Sequence, residues 1–450
     1  MRTSPPPTAS TSCGPQAAPL PANRRPPRSN STASTSCGRR AVPSDRYPKA
    51  AAPSRSGGSS RFPSHMAGRM DPIVTRNLVR YLTDKGLIDR AGIVDGGMVL
   101  TMSRSRNRFV MLKQRSGPAY FIKQAIETEP GTRETIAREA EVYRGAFGDD
   151  RLRPLRDLLP QFRLYDADQG ILINDLIPNS ETLTAVHRKL GTCPIDLAAR
   201  LGTALSAYHA IRFIEGAPQA ALFPQQSPWI LRLHGEADVS SMRRSPAASA
   251  LLDILLAAPG AGAMLGELRD GWKRDTLIHT DMRWENCLLA PKGEALADRR
   301  LYIIDWELAD IGDAAWDVGS MLQSYLAFWI GSMPAGSDPA ALFAGATVPL
   351  ASVQPAIAAF WTAYITASDA YRDDAAGFLK RCIGMMAARM MVTAFERSAW
   401  SQTTDSTAIL LAQTALNILA DPDRVAEELL GIVDPAPRAL DRARDRAIAA

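Results

Sequence analysis

A chain of 450 residues, 46% hydrophobic and 22% charged, can bury a full core and has room for two lobes with appendages. Its formal charge of +5 sits at one end: before Met70 eleven basic residues face one acid, Asp45, a balance of +10, so the remainder holds −5. A mildly acidic body excludes a nucleic-acid groove, which needs clustered Lys and Arg on the folded surface, and no run free of charge, Pro and Gly is long enough to span a bilayer.

In chain order, residues 1–69 are rich in Pro, Ser, Ala, Gly and Arg and nearly free of Ile, Leu and Val. Such a segment cannot bury enough apolar surface to offset its ordering entropy, so a disordered tail is expected. A mistaken start is the other reading, because Met66 and Met70 precede the first helical pattern, Asp71 to Lys85. The segment has no apolar run of the signal-peptide kind. From Gly92 short apolar runs broken by polar turns predict strands at Met98–Met102, Phe109–Lys113, Ala119–Lys123, Phe162–Asp166 and Gly170–Ile177. Thr132 to Phe147 lacks Pro, is rich in Glu, Ala and Arg, and predicts a helix among them. After Ser180 helices dominate, at Asp196–Ile211, Pro355–Ser368, Ala376–Trp400 and Thr407–Leu419, with a strand-like pair at Leu277–Leu289 and Leu301–Asp305. The apolar run Met321–Met333 reads as a core helix, and so does the Met385, Met386, Met390, Met391 cluster at helical spacing. The expected organisation is a tail at 1–69, a nucleotide-binding lobe at 70–177, a helical catalytic and acceptor lobe at 178–435, and a charged tail at 436–450. Cys13, Cys37, Cys193, Cys287 and Cys382 are odd in number and lack metal-ligand spacing, which suits a reduced, cytoplasmic setting.

The chemistry concentrates in Leu277-Ile278-His279-Thr280-Asp281-Met282-Arg283-Trp284-Glu285-Asn286 and in Ile303-Ile304-Asp305-Trp306-Glu307. Phosphoryl transfer needs a carboxylate to orient the attacking hydroxyl and oxygen ligands for the Mg²⁺ that accompanies the nucleotide phosphates. Asp281 and Asn286 share one tight loop between apolar runs, and Asp305 ends a neighbouring strand. Two hard carboxylates with one neutral amide suit Mg²⁺ without crowding negative charge.

The H-x-D-x-x-x-x-N string followed by I-D-W-E resembles the aminoglycoside phosphotransferase and choline kinase family, over about Gly92 to Ala420. The resemblance implies an α+β, bilobal protein-kinase-like fold with a small β-sheet N-lobe carrying one long helix and a larger, mostly helical C-lobe. It implies ATP and Mg²⁺ as cofactors, Asp281 as catalytic base, Asn286 and Asp305 as metal ligands, and His279 as a buried orienter of the loop. Ile311-Gly312-Asp313-Ala314-Ala315-Trp316-Asp317 is similar to the family's G-D-x-x-x-D segment, and Asp317 there would brace the loop. Arg283, two positions after the base, stands where Ser/Thr protein kinases carry a phosphate-neutralising Lys.

A kinase-like site also needs a strand Lys held by a helix Glu. Lys123 and Glu139 are assigned to that pair, with Glu141 as the fallback. Backbone groups around Asn174 to Ile177 are expected to meet adenine. No Gly-rich loop is present; Ser103 and Ser105, with nearby amides, stand in its place to cradle phosphate. Thr280 occupies a position where antibiotic-modifying relatives commonly have Gly.

Each residue also has a structural reading. Lys123 alone would be a solvated strand end and Glu139 a surface charge worth little; only their joint order with Asp281 and Asp305 makes a site. His209 on an apolar helix face is read as structural, and Glu307 and Asp310 either line an acceptor pocket or are solvated. The expected activity is transfer of the ATP γ-phosphate to a hydroxyl of a small molecule: an aminoglycoside, a choline-like alcohol or a sugar. The R-W-E-N loop also resembles phosphotransferases of lanthipeptide and thioamide-peptide biosynthesis, which implies a Ser/Thr precursor peptide and a partner lyase as the alternative. A catalytically inactive nucleotide-binding regulator is the third reading.

Overall fold

The computed structural model describes residues 75–89, 97–104, 108–115, 117–126, 129–212, 221–235, 239–291, 295–334, 336 and 338–436. The expected tails at 1–69 and 436–450 therefore lie outside the described residues, apart from Ala436.

Helix α1 (Thr75–Asp84) precedes five strands, β1 (Val99–Arg104), β2 (Arg108–Lys113), β3 (Tyr120–Gln124), β4 (Phe162–Asp166) and β5 (Ile171–Asp175). They form an antiparallel sheet in the order β1-β2-β3-β5-β4. Helix α2 (Thr132–Gly148) lies between β3 and β4 in the chain. The sheet separates two sets of side chains by strand alternation. Val110, Leu112, Tyr120, Ile122, Ile171 and Ile173 pack with Leu78, Tyr81 and Leu82 of α1. On the α2 side, Leu172 meets Ile136 and Ala140. Because Lys123 pairs with Leu172 across β3 and β5, its side chain emerges on the α2 side.

The second lobe opens with β6 (Glu181–Thr182), α3 (Leu183–Leu190) and α4 (Ile195–His209), followed by α5 (Pro246–Ala257) and α6 (Ala261–Asp270). Strands β7 (Thr276–Ile278), β8 (Cys287–Ala290), β9 (Arg300–Ile303) and β10 (Asp310–Gly312) come next, and then α7 (Ala314–Ile330), α8 (Leu350–Ala367), α9 (Ala375–Ser398) and α10 (Ser406–Ala420). The expected inserted hairpin is two small sheets rather than one: β6-β8-β9, and a ribbon of β7 with β10. Helix α8 starts at Leu350, one turn and a half before the expected Pro355, which sits inside it. A Pro-start rule fails there because tertiary packing of Val353, Ile357, Phe360 and Trp361 outweighs the one backbone hydrogen bond that Pro355 forgoes. Helices α7 and α9 touch backbone to backbone: a Cβ on Gly319 would lie 2.6 Å from Met386 N and 2.7 Å from Cys382 O. No single helix among the described residues is long and apolar enough to cross a membrane.

This is the bilobal, kinase-like α+β architecture, with a sheet lobe, a helical lobe and a cleft between them.

Candidate active site

Strand pairing gathers the polar residues at one end of the small sheet of the helical lobe. Cys287 pairs with Ile303, and the Ile304 amide donates to the Asn286 carbonyl at 2.9 Å. Asn286 and Asp305 thus leave β8 and β9 at the same edge, while β7 delivers the loop 279–286 beside them.

Asp281 is held on both carboxylate oxygens. Arg389 Nη2 lies 3.2 Å from Oδ1 and Arg283 Nη2 lies 3.1 Å from Oδ2. Asn286 Nδ2 donates to the Asp281 carbonyl at 2.8 Å and to Oδ2 at 3.2 Å. That orientation engages the Asn286 amide nitrogen and points the amide oxygen away from Asp281. Thr280, just before, adopts φ 71°, and Asp305 adopts φ 69°. Left-handed backbone at a non-glycine residue costs about 1–3 kcal/mol and needs surrounding support.

Asp317, buried in the first turn of α7, supplies that support. Its Oδ2 accepts from the His279 amide at 2.6 Å and from the Tyr208 hydroxyl at 2.8 Å, and its Oδ1 accepts from the Thr280 amide at 3.0 Å. Burial raises its carboxyl, but the hydrogen bonds and the neighbouring His209 and His279 outweigh burial and hold it below the usual carboxylate range. Trp316 Nε1 donates to the Thr280 carbonyl at 2.7 Å. His279 is fully buried, and its Nε2 donates to the Ile304 carbonyl at 2.9 Å, fastening the loop to the end of β9. His209 is tied between Asp317 and the Tyr364 hydroxyl.

Across the cleft, Lys123 Nζ lies 2.6 Å from Glu139 Oε2, 2.5 Å from Asp305 Oδ1 and 3.8 Å from Glu307 Oε2. Glu139 is buried on the stripe it shares with Ile136, Ala140 and Tyr143. Glu141, the fallback, instead forms an exposed pair with Arg144 at 2.7 Å. Burial alone would lower Lys123, yet Glu139, Asp305 and Glu307 outweigh it and raise the ammonium, so the lysine stays charged. Burial raises Asp305 too, but Lys123 holds it below the usual range. Glu139 is the carboxyl that bears the cost of burial, pushed up to about 7 despite Lys123.

A cleft of about 300 Å³ joins these groups to Phe109, Phe121, Asn174, Leu176, Ile177 and Leu288. The amides of Asp175 and Leu176 already donate to Gln161 and Ala119 carbonyls at 2.8 Å each. Asn174 is buried with its Oδ1 unpartnered among the described residues. Of the other expected site residues, Ser105 lies outside the described residues, and Ser103 is described only as backbone of β1. Glu307 lines the cleft. Asp310 is buried and accepts from the Gln225 and Ile311 amides at 2.8 Å, so it belongs to the interior and not to a pocket wall.

Sequence reasoning missed Arg389 and Glu396. Arg389 is 3% exposed on α9, bridging Asp281 and Glu396, which lies 3.2 Å from its Nη1. The available signal was a single cation inside the Met385 to Met391 run.

Residues 187–351, which contain β7 to β10, the loop and Asp317, match the model of the phosphotransferase enzyme family. Over that segment the chain is similar to this phosphotransferase family. Among solved structures it is similar to a choline kinase from Streptococcus pneumoniae, at 17% identity and TM-score 0.39 over 77% of this chain and 99% of that one. It is also similar to a macrolide 2'-phosphotransferase from Brachybacterium faecium, at 15% identity and TM-score 0.40 over 76% and 98%. An amicoumacin kinase solved with AMP-PNP and Ca²⁺ shares 12% identity at TM-score 0.43 over 76% and 96%. At these scores the fold assignment rests on the strand order, the two lobes and the family match. No curated protein sequence matches the chain.

Proposed function

We propose that this phosphotransferase moves the γ-phosphate of ATP to an acceptor hydroxyl of a small molecule, with ATP held in the 300 Å³ cleft. The observation that carries the reading is the meeting of Lys123 with both Glu139 and Asp305, the latter 182 positions away, at 2.5–2.6 Å. A buried lysine shared by a helix glutamate and a catalytic-lobe aspartate is the arrangement that grips nucleotide phosphates in kinase-like sites. In this reading Lys123 neutralises the phosphates when ATP enters, and Glu139 keeps the lysine aimed at the cleft. Ile177 and Asn174 line the part of the cleft that would receive the base, and the Asp175 and Leu176 amides are engaged within the protein.

The donor set fits Mg²⁺: Asp305 and Glu307 offer carboxylate oxygens close together, and Asn286 keeps its amide oxygen unspent while Nδ2 binds Asp281. Asn286 and Asp305 are the residues that would hold the ion, which when bound supplies charge neutralisation to the phosphates. Asp281 orients the acceptor hydroxyl and takes its proton. Because Arg389, Arg283 and Asn286 occupy its oxygens at rest, the acceptor displaces or shares one of these contacts on arrival. His279 and Asp317 act through the loop.

The test is transfer of label from γ-labelled ATP with Mg²⁺, to water and to supplied alcohols. Asp281→Asn should lose about 100-fold or more in rate, the usual contribution of a positioned base, while still binding nucleotide. An Asp281→Asn enzyme as fast as the native one would refute the assignment.

A further inference from the structure

A second pocket, of about 310 Å³, is lined in part by Arg283 and Arg389, the two arginines that hold Asp281. It is lined by α3, the 283–285 stretch, α7, α9 and α10, and its walls carry four arginines, Arg188, Arg283, Arg389 and Arg397. Only two acids line it, Glu285 and Glu396. Both acids are engaged: Glu285 accepts from the Thr184 hydroxyl at 2.9 Å, and Glu396 is shared by Arg389 and Arg283. Arg397 has a partner outside the pocket, Asp405 at 2.9 Å. Arg188 is exposed and has no ionic partner among the described residues.

The hydrogen-bonding inventory points the same way. Arg283 Nε, Arg389 Nε and Trp284 Nε1 are buried donors with no acceptor among the described residues. Gln323, 4% exposed, also lines the pocket, and its side chain makes no hydrogen bond among the described residues. Buried donors are normally satisfied, and each one left alone costs about 1–3 kcal/mol. Four arginines against two glutamates give the lining itself a positive balance, and Arg188 has no carboxylate of its own among the described residues, so an entering group that carries negative charge is favoured. A cationic alcohol would bring no negative charge, and would set its own charge against Arg188 and Arg283. The net acidity of the folded body does not extend to this pocket.

Resting on the phosphotransferase reading above, we propose that this pocket selects an acceptor alcohol that carries a carboxylate or phosphate group. The anionic group meets Arg283 and Arg188, a planar guanidinium being suited to bidentate contact with either oxyanion. The hydroxyl to be phosphorylated then lies toward Asp281, whose Oδ2 shares Arg283. The source of the anion is either a small hydroxy acid or sugar phosphate, or an acidic peptide that presents Ser or Thr.

The experiment measures label transfer from γ-labelled ATP, at fixed ionic strength, to matched acceptors. Glycerol 3-phosphate and gluconate are the anionic probes, glycerol and glucose the neutral ones, choline and kanamycin the cationic ones. A Ser peptide flanked by Glu and one flanked by Lys separate peptide from small-molecule sources. The expected result is a kcat/KM for the anionic member of each set at least about tenfold above its neutral and cationic counterparts, one tenfold step being about 1.4 kcal/mol. Arg188→Glu, an exposed position where folding is not at risk, should shrink that ratio about tenfold. Anionic probes with no advantage over neutral ones, better turnover of choline or kanamycin, or a ratio indifferent to Arg188→Glu would each overturn the proposal. Those outcomes leave ATP turnover or nucleotide binding intact. Failure of the phosphotransferase reading would look different: no nucleotide bound and no phosphate moved to any acceptor or to water.

Discussion

Replacing Asp317 by alanine removes one carboxylate, releases the His209 ring 3.4 Å from it, and orphans three more closely bound donors, the His279 amide, the Thr280 amide and the Tyr208 hydroxyl. A buried donor left without its partner costs about 1–3 kcal/mol, so even the low end of that range gives about 3 kcal/mol. Relief from burying the charge offsets part of this. Thr280 is also held at φ 71°, a conformation that relaxes when its amide is released. Asp317→Asn keeps the shape and one acceptor oxygen but turns an amide N–H toward at least one donor, so its loss should fall between alanine and native. Urea midpoints followed by tryptophan fluorescence measure the stability, and single-turnover label transfer measures the chemistry. A loop displaced by about 1 Å costs about 100-fold in rate, and that is the loss expected for Asp317→Ala. An alanine variant within about 0.5 kcal/mol of native stability, turning over at the native rate, would show that Asp317 does not carry the loop.

Three further outcomes follow from other parts of the chain. Glu139→Gln should lower kcat/KM for ATP at least about tenfold because it removes the buried carboxylate that aims Lys123 and leaves the lysine drawn to Asp305 and Glu307, whereas Glu141→Gln, whose pair with Arg144 is on the surface, should change it less than about twofold; equal effects would mean that the wrong glutamate has been assigned. Gly319→Ala should destabilise by about 1–3 kcal/mol, since the new methyl meets Met386 and Cys382 backbone and not a yielding side chain. Gly266→Ala in α6, with open space around it, should instead stabilise by up to about 1 kcal/mol, and urea midpoints that fail to move in opposite directions would contradict the packing. His187 is buried with its ring centroid 4.0 Å from that of Trp284, and burial lowers it to about 4. A depressed histidine contributes stability above its unfolded value near 6.5 and loses it as pH falls through 4, by about 2 kcal/mol already at pH 5. His187→Phe should therefore flatten the fall in urea midpoint between pH 7.5 and pH 5, and parallel curves for the two proteins would exclude this origin.

Much of this was legible because the signals were local. Strands β1 to β5 announced themselves by alternation and turn residues, and β4 falls at Phe162–Asp166, where the pattern placed it. Glu139 could be told from Glu141 because it lies on the helical stripe with Ile136 and Tyr143, three and four residues to either side. The Asp281, Asn286 and Asp305 grouping was readable because one short hairpin holds all three. By contrast, β10 is three residues long, too short for any period, and exists only because β7 offers it a partner. Arg389 meets Asp281 across 108 positions, and nothing in a Met-rich helical run tells which way its single cation points. The character of the second pocket was hidden for the same reason: its arginines come from two helices and a loop, and only tertiary packing adds them together.

The anchorage of the catalytic loop has an evolutionary corollary. Asp317 grips the loop from the first turn of α7, whereas Gln323 and Phe328, farther along the same helix, face the second pocket. Mutations that reshape acceptor choice can accumulate on the downstream turns while the upstream turn goes on holding the reactive geometry. A lineage carrying this layout can trade one clientele for another without rebuilding its chemistry.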